Sequence, residues 1–418
     1  MKQIELQIKA LSPLAISRQK PGGSVSEAMD YIPGSVIRGA IASKMLQESG
    51  YYSSDISQNG GDFQALFLGE APAIFRNAYP ASIEIEEGKT DIQNNIRVLP
   101  ATAVSSKTKP GFRLIDENKN GVFDTLIDRF CAEGYGYPYD PNCPTDGGRV
   151  DPFSGFYSIF NEVYYSHSIS KRLLTRVGIN RRRATAEDQI LYSIEALNES
   201  KEQRNKPIAY SGSILVEDSQ LANSLKQFLE QRPQHFRIGG STSRGLGKIE
   251  ITAKQPVDFK LDIEHRIQNF NQKLWKRWQT WKIFNNAKAD LSNEKTYFTL
   301  NLQSDAILTE QWRRTTVISP EMLKLFAELD KSICLDLHAV YSSYDYLSGW
   351  NSAWGLMKDV ELITNKGAVY LFSTTQIDSW LKPLKELEMR GVGDRTCEGL
   401  GQIRICDEFH LILREEAV

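Results

Sequence analysis

Residues 239–251 read GGSTSRGLGKIEI, and residues 393–405 read GDRTCEGLGQIRI. Each copy runs from a glycine-rich loop into a strand whose isoleucines alternate with polar residues. Each also follows a stretch whose apolar residues have helical spacing. The identical pairs are Gly239/Gly393, Thr242/Thr396, Gly245/Gly399, Leu246/Leu400, Gly247/Gly401, Ile249/Ile403 and Ile251/Ile405. The repeat predicts two domains that both end in the order helix, glycine loop, strand.

The beginnings of the two domains are similar as well. Strands are expected at residues 4–11 and 297–302, and Pro33-Gly34-Ser35 begins a predicted helix. The order strand, helix, strands, helix, glycine loop, strand is that of a ferredoxin-like βαββαβ unit. We therefore predict an α+β chain with a first domain at 1–256, a linking helix within 257–290 and a second domain at 291–418. Residues 107–160 lack periodicity and are expected to form an irregular insertion in the first domain.

Composition narrows the class of protein. The 418 residues include 50 Lys+Arg and 52 Asp+Glu, for a net charge of -2. No apolar run approaches the roughly 20 residues of a membrane span. The five cysteines, an odd number, and the strand-like N-terminus favour a cytoplasmic protein without disulfides. The near-neutral total conceals a basic cluster of six residues between Lys171 and Arg183, so the surface is expected to be polarised.

The glycine loops expose backbone N–H groups and admit a phosphate chain at close range. Dinucleotide and P-loop sites place the glycines between a strand and a following helix. Here the glycines follow a helix and precede a strand, and neither nucleotide motif is present, which argues against a nucleotide cofactor. Two readings stay open, a tight turn without ligand and a contact to a phosphate backbone. The residues Ser241, Ser243, Arg244 and Lys248 favour the second for the first loop.

Five segments resemble the RAMP superfamily of CRISPR effector subunits. They are PGSVIRGAI (33–41), LFLGEAPAIFRNAYP (66–80), LTRVGINRRRATAEDQILYSIEAL (174–197), IGGSTSRGLGK (238–248) and GVGDRTCEGLG (391–401). The combination is most similar to the large tandem-RAMP subunit of type III-D complexes. The resemblance implies two ferredoxin-like, RRM-like domains and a role in antiviral defence. It also implies that the chain holds the 5′ handle of the CRISPR RNA beside a large polymerase-like subunit and backbone RAMP subunits, and meets target RNA indirectly.

The resemblance also suggests which residues contact RNA. Ser35 and Arg38 lie at a helix start, and Arg18 and Lys20 in the loop before it, although Ser35 is equally explained as an N-cap. The remaining candidates are the basic cluster and the two glycine loops. The basic cluster has a second interpretation, a surface that is simply exposed to solvent. The candidate residues are Arg176, Arg181, Arg182 and Arg183; Gly239, Gly240, Ser241, Ser243, Arg244, Gly245, Gly247 and Lys248; and Arg390, Gly391, Gly393 and Arg395.

Catalysis is not expected. None of the five histidines precedes the first helix, where RNA-processing members of the family carry theirs. Backbone subunits cut target RNA with an aspartate before the PGS helix, and Asp30 is the candidate here. Three hypotheses therefore stand: a non-catalytic CRISPR RNA scaffold, a target-RNA-cleaving subunit, and a protein-interaction module whose loops are only turns.

No metal site and no cofactor are predicted. Residues 116–124 have EF-hand-like spacing at Asp116, Asn118, Asn120, Gly121 and Asp124, but Ile127 stands where the bidentate Glu belongs. Cys131 and Cys143 lack a third and fourth zinc ligand nearby. An aromatic run, Tyr341, Tyr344, Tyr346, Trp350 and Trp354, is either a base-stacking platform or a packed core or subunit contact.

Overall fold

A computed structural model describes residues 1–18, 27–49, 59–81, 83–86, 89–92, 95–113, 119–180, 182–183, 185–201, 206–284, 291–292, 294–351 and 355–418. The chain is a mixed α and β protein with antiparallel sheets. The described residues form seven α-helices: α1 Gly34–Ser49, α2 Gly61–Phe67, α3 Leu126–Tyr135, α4 Ser219–Glu230, α5 Ile263–Trp281, α6 Pro320–Phe326 and α7 Ile377–Arg390. None of these helices is both long and apolar enough to cross a lipid bilayer.

The first sheet is organised around the N-terminal strand. Its order is Phe236–Arg237, Lys248–Ala253, Lys2–Ala10, Ala209–Val216 and Ile74–Phe75. Tyr79–Ala81 also pairs with Ala209–Val216, and Val257–Asp258 pairs with Lys2–Ala10. Ile4, Leu6 and Ile8 alternate along the N-terminal strand and are fully buried, because one face of the sheet packs against the helices. The predicted first strand and first helix are both present.

The second sheet repeats this strand order. It runs Asp336–Tyr341, Val369–Thr374, Thr296–Leu302 and Ile403–Ile405. In both sheets the strand that follows a glycine loop lies beside the first strand of its half of the chain. The repeat in sequence is therefore a repeat in topology.

The segment predicted as irregular is folded. Helix α3 lies within it, and three of its strands, Val122–Asp124, Val150–Pro152 and Phe156–Phe160, join two three-stranded sheets. The first two pair with Ala103–Ser106, and the third pairs with Arg97–Val98 and Val163–His167. Leu126, Ile127 and Cys131 of α3 belong to the same core as the second sheet. The sequence shows no periodicity here because the elements are short, and because Val122–Asp124 and the first three residues of Phe156–Phe160 are buried on both faces.

Helix α5 lies inside the predicted linking segment and buries its apolar side. Ile267, Phe270 and Leu274 pack into the core of the second sheet. Arg266 on the same helix is buried and donates two hydrogen bonds to Glu388 of α7, at 2.8 and 2.9 Å. The connection between the two halves is therefore a part of the second core.

Several hairpins extend from these two layers. The longest joins Lys171–Asn180 to Thr185–Leu197. The shorter ones are Ser17–Arg18 with Glu27–Ala28, Ile83–Glu86 with Lys89–Ile92, Ser200–Lys201 with Lys206–Pro207, Leu308–Glu310 with Arg313–Thr315, Tyr344–Leu347 with Glu361–Thr364, and Trp350–Asn351 with Leu356–Met357. Short 3-10 turns occur at Thr242–Arg244, Thr396–Glu398, Glu408–Leu411 and Arg414–Glu416.

Candidate nucleic-acid interface

The first glycine loop is held by its backbone. Ser241 and Gly245 adopt left-handed conformations, with φ of 56° and 87°, on either side of the 3-10 turn Thr242–Arg244. The Gly240 amide donates to the Ala15 carbonyl at 2.8 Å, and the Gly247 amide donates to Pro13 at 2.9 Å. A Cβ on Gly239 would lie 2.5 Å from the Ala15 oxygen, so this position requires glycine. These contacts fix the loop against the segment that follows the N-terminal strand Lys2–Ala10.

The outer side of this loop is open. Ser243, Arg244 and Gly245 are exposed, and a Cβ built on Gly245 meets nothing within 4 Å. Within the described part of the chain, the amides of Ser241, Thr242 and Ser243 donate to no backbone acceptor. Successive unpaired amides in a glycine-rich turn are suited to an anionic oxygen.

The long hairpin brings an aromatic ring and cations to this loop. Arg244 lies over the ring of Tyr192, with its guanidinium carbon 5.2 Å from the ring centroid, and also donates to the Tyr192 hydroxyl. Tyr192 is directly opposite Arg176 in the hairpin, so both side chains are on one face. Arg176, Arg182 and Arg183 are all exposed. Arg181 lies outside the described residues.

Two members of this surface were missed by the sequence analysis. Tyr192 is distant from the basic cluster in sequence, and only the strand register pairs it with Arg176. Arg237 is exposed on an edge strand and lies opposite Lys248. The indication available for both was the alternation of side chains between the two faces of a strand. It shows which residues lie opposite each other once the pairing register is known. We call Arg176, Tyr192 and Arg244, together with Arg237 and Lys248 on the two strands that flank the loop, the cationic face.

The second glycine loop has the same backbone in a different environment. Arg395 has φ of 58° and Gly399 has φ of 90°, which match their counterparts in the first loop. A Cβ on Gly399 would lie 2.8 Å from the Phe75 carbonyl oxygen and 3.2 Å from the Gly34 Cα. The N-terminus of α1, in the first half of the chain, thus lies against this loop. The second loop is a contact within the protein.

The charges of the two loops differ accordingly. Glu398 occupies the position equivalent to Arg244 and pairs with Lys358 at 3.2 Å and with Arg395. Opposing charges lower the pKa of Glu398, although burial acts to raise it. Arg390, beside Gly391 and Gly393, pairs with Glu217 at 2.9 Å. Glu398 thus stands where the first loop carries Arg244, and both Arg390 and Arg395 are paired with carboxylates.

The PGS element is used for packing. A Cβ on Gly34 would lie 1.8 Å from the Phe75 carbonyl oxygen, and the Gly34 amide donates to Asn77 Oδ1 at 2.8 Å. Arg38 donates to the Phe67 carbonyl at 2.7 Å and lies over the Phe67 ring. Ser35 is half-buried in the first turn of α1. Arg38 is thus engaged with Phe67 in the first half of the chain.

The loop before α1 contacts the second half of the chain. Arg18 pairs with Asp345 at 3.1 Å and donates to the Tyr346 carbonyl. Lys20 lies outside the described residues. Asp30 is 3.8 Å from the Lys366 ammonium group. Its neighbour Tyr31 is buried, which raises the pKa of the phenol, and donates to Asp305 at 3.3 Å.

The described residues contain no group of three or more acidic, histidine or cysteine side chains arranged to hold a metal ion. Asp124 accepts from Thr102 and from the Leu126 amide, while Asp116 and Asn118 lie outside the described residues. Burial raises the pKa of the Cys131 thiol well above its usual range, so the thiolate that zinc requires is disfavoured. Cys143 is a buried free thiol.

Other candidates from the sequence are dispersed. His338 is exposed on its strand and bonds Ser373 at 2.8 Å, and desolvation of the ring lowers its pKa. His410 is fully buried between Asp124 and Asn301. In the aromatic run, Tyr341 is half-buried with Arg129 over its ring, whereas Tyr344 and Tyr346 are exposed. Trp354 and the side chain of Trp350 lie outside the described residues.

Comparison with known proteins places the chain in a family. Similar solved structures include a chain of the type III-B Cmr-beta complex bound to cognate target RNA, with 14% identity over 90% of this chain and 88% of that chain and a TM-score of 0.41. A chain of the apo Cmr-beta complex has 12% identity over 60% of this chain and 96% of that chain, with a TM-score of 0.27. No curated protein matches the sequence. The sequence profile of the RAMP superfamily matches residues 7–250, more than half of the 418 residues, and the chain therefore belongs to the RAMP superfamily.

Proposed function

We propose that this chain is a non-catalytic, RNA-binding subunit of a type III CRISPR effector complex, and that RNA lies across the cationic face. The observation that carries the proposal is the placement of Arg244 over Tyr192, beside the open first glycine loop. Single-stranded RNA is held by arginine, lysine and backbone amides at its phosphates and by aromatic rings at its bases. The cationic face supplies the cations and the ring, and the adjoining first glycine loop supplies the backbone amides.

The finer parts of the proposal rest on the resemblance of residues 33–41, 238–248 and 391–401. They are that the complex is III-D-like, that the bound segment is the 5′ handle of the CRISPR RNA, and that a large polymerase-like subunit and backbone RAMP subunits adjoin. Target RNA then meets the chain indirectly, and the complex acts in the cytoplasm. Each part is open to an experiment of its own.

We also propose that the two halves are ferredoxin-like domains, at 1–256 and 291–418. The strand orders support this. In each sheet the first strand of the βαββαβ unit lies between the fourth strand, which follows the glycine loop, and the third strand, which precedes the second helix. The strands Lys2–Ala10 and Thr296–Leu302 hold that central place. On this assignment the folded segment around α3 is inserted between the second and third strands of the first domain.

We propose RNA contact for the first glycine loop and the long hairpin. The second glycine loop, which the sequence also suggested, is not included. The second loop contacts Gly34 and Phe75, and its arginines pair with carboxylates. Cleavage at Asp30 stays a prediction from the resemblance, and the nearest described cation to its carboxylate is Lys366.

Binding of a labelled single-stranded RNA, measured by fluorescence anisotropy over a salt series, tests the proposal. We expect affinity to fall steeply with salt and the double variant Arg176→Ala/Arg244→Ala to bind more weakly than Arg390→Ala. Comparing a repeat-derived 5′ end with a permuted sequence of the same length tests the handle assignment separately. Salt-independent binding, or equal loss in both variants, would contradict the proposed interface.

A further inference from the structure

The side chain of Arg244 carries a positive charge that no carboxylate of the described residues neutralises. Arg244 is exposed, and its hydrogen bond goes to the Tyr192 hydroxyl. Arg176, directly opposite Tyr192 in the long hairpin, is exposed and likewise forms no ion pair within the described residues. Two guanidinium groups beside one ring repel each other, and an anionic ligand relieves that repulsion.

One short segment holds the first glycine loop and the long hairpin together. The carbonyls of Pro13 and Ala15 accept hydrogen bonds from the loop. Between them, Leu14 exchanges two backbone hydrogen bonds with Leu197 at the base of the hairpin, at 3.1 and 2.9 Å. Loop and hairpin are thus bonded to three successive residues, so the guanidinium of the loop and the ring of the hairpin meet on a fixed support.

Tyr192 determines how the guanidinium is presented. The guanidinium carbon of Arg244 lies 5.2 Å from the ring centroid, and the Tyr192 hydroxyl accepts from Nη1. The side of the guanidinium away from the ring faces solvent, since Arg244 is exposed. An arginine side chain held in one orientation before binding loses less rotamer entropy when a ligand arrives. Arg244 is therefore a pre-oriented planar cation with one open side.

A planar cation of this kind suits two parts of one nucleotide. Its edge carries five N–H donors, and within the described residues one nitrogen, Nη1, donates to Tyr192. The other donors are left for a phosphate oxygen. The face of a guanidinium stacks on nucleic-acid bases, and the ring beneath it strengthens the stack through a cation–π contact. One nucleotide can thus be held at its phosphate and at its base.

Stacking on this face also favours one class of base. The strength of a stack depends on the area of overlap and requires no hydrogen bond to the base edge. A purine has two fused rings where a pyrimidine has one, so it covers more of the guanidinium plane. The preferred nucleotide at this position is therefore adenosine or guanosine.

We propose that the Arg244–Tyr192 pair is a stacking site for one purine base of the bound RNA. The base lies on Arg244, and Tyr192 is a positioning residue that holds the guanidinium in place. The inference rests on the proposed function, because it names the nucleotide that the cationic face selects.

Fluorescence anisotropy with the full-length chain and two labelled probes tests the site. One probe is an oligouridylate, and the other is the same oligomer with a single central adenosine. The unaltered chain should bind the adenosine probe about fivefold more tightly. Tyr192→Leu should abolish this preference but keep the slope of log affinity against log salt, because Arg244 still reaches a phosphate. Tyr192→Phe should retain the preference, because the ring remains.

Tyr165→Leu is the matched control, since Tyr165 is a half-buried tyrosine on the strand Val163–His167, outside the cationic face. A preference retained in Tyr192→Leu, or lost equally in Tyr165→Leu, would overturn the purine site. Salt-dependent binding by the unaltered chain without any purine preference would overturn it too, while leaving the cationic face as an RNA-binding surface. Salt-independent binding would overturn both the site and the proposed function.

Discussion

The guanidinium carbon of Arg244 lies 5.2 Å from the centroid of the Tyr192 ring and joins the first glycine loop to the long hairpin. At the equivalent position of the second loop, Glu398 pairs with Lys358 and Arg395. One repeated backbone therefore serves two purposes. The first copy is open and cationic, and the second is closed against the start of α1.

The difference between the loops predicts unequal effects on RNA binding. Arg244→Ala is expected to lower affinity for single-stranded RNA and to reduce the slope of log affinity against log salt by about 0.7, the value for one phosphate contact on a single strand. Arg390→Ala is the matched control, since Arg390 pairs with Glu217 near the second loop. Anisotropy titrations between low and moderate salt measure both. An unchanged slope in Arg244→Ala would show that this guanidinium meets no phosphate.

The same pair of loops predicts unequal effects on stability. Gly245→Ala and Gly399→Ala both place alanine at positive φ, which costs roughly 1–2 kcal/mol. Gly399→Ala also drives a Cβ to within 2.8 Å of the Phe75 oxygen, and overpacking adds about 1–3 kcal/mol. Thermal unfolding should show a lower melting temperature for Gly399→Ala. Equal melting temperatures would mean that the two halves do not meet at this loop.

A buried ion pair joins α5 to α7. The side chains of Arg266 and Glu388 are 6% and 4% exposed, and Glu388 also accepts from the Ile405 amide at 2.8 Å. Glu388→Gln leaves the guanidinium buried without its countercharge, so the free energy of unfolding should fall by about 3–5 kcal/mol.

The control for this variant lies on the same two helices. Lys385 pairs with Glu264 at 2.6 Å at the surface, and Lys385→Ala should cost less than about 1 kcal/mol. Urea unfolding compares the two. Similar losses would contradict the placement of α5 within the second core.

Acid should destabilise the protein through Asp407. Burial acts to raise the pKa of this carboxyl, but Arg404 and Arg97 oppose it and hold the pKa below its usual range. A carboxyl with a lowered pKa in the folded state stabilises the protein above the unfolded-state pKa, about 3.9. Stability from this group is therefore present at neutral pH and is lost as the pH falls below about 4.

Asp407→Asn should remove part of that acid dependence while keeping an acceptor for Tyr157, whose hydroxyl lies 3.0 Å away. Asp258→Asn is the comparison, because Asp258 pairs with Lys2 at an exposed site. Unfolding free energies across the acid range distinguish the two. A steep acid loss retained in Asp407→Asn would assign the effect to other carboxyls.

A non-catalytic scaffold also predicts the result of changing Asp30. Asp30→Ala in a reconstituted effector complex should leave the number and positions of target-RNA cuts unchanged. Product lengths on a sequencing gel measure this, with an aspartate substitution in a backbone subunit as the positive control. Loss of a single cut would instead make this chain the cleaving subunit at that position.

The repeat made the paired architecture predictable, because glycine loops and alternating isoleucines report local backbone geometry. Gly239 and Gly393 are constrained by the carbonyls of Ala15 and Ile307, and both strands follow as expected. The separation of roles was less visible. It depends on which loop α1 packs against, and that is decided by contacts between residues distant in sequence. The sequence does contain one indication that the loops differ, because Glu398 stands where the first loop has Arg244.

The segment at 107–160 shows the opposite case. Its helix α3 and its short strands are stabilised by contacts with α5 and the C-terminal residues, such as Phe409 and Ile412. Local periodicity cannot reveal elements whose apolar residues face several distant partners at once. For the same reason Tyr192 was found only through the register that places it opposite Arg176.

Crosslinking of 4-thiouridine-labelled RNA to the full-length chain, with the adducts mapped by mass spectrometry, tests the central claim most directly. The account predicts adducts in the first glycine loop, at residues 239–248, and in the hairpin at 171–197, and fewer in the second loop at 391–401. Adducts concentrated in the second loop, or absent from the first loop and the hairpin, would contradict it.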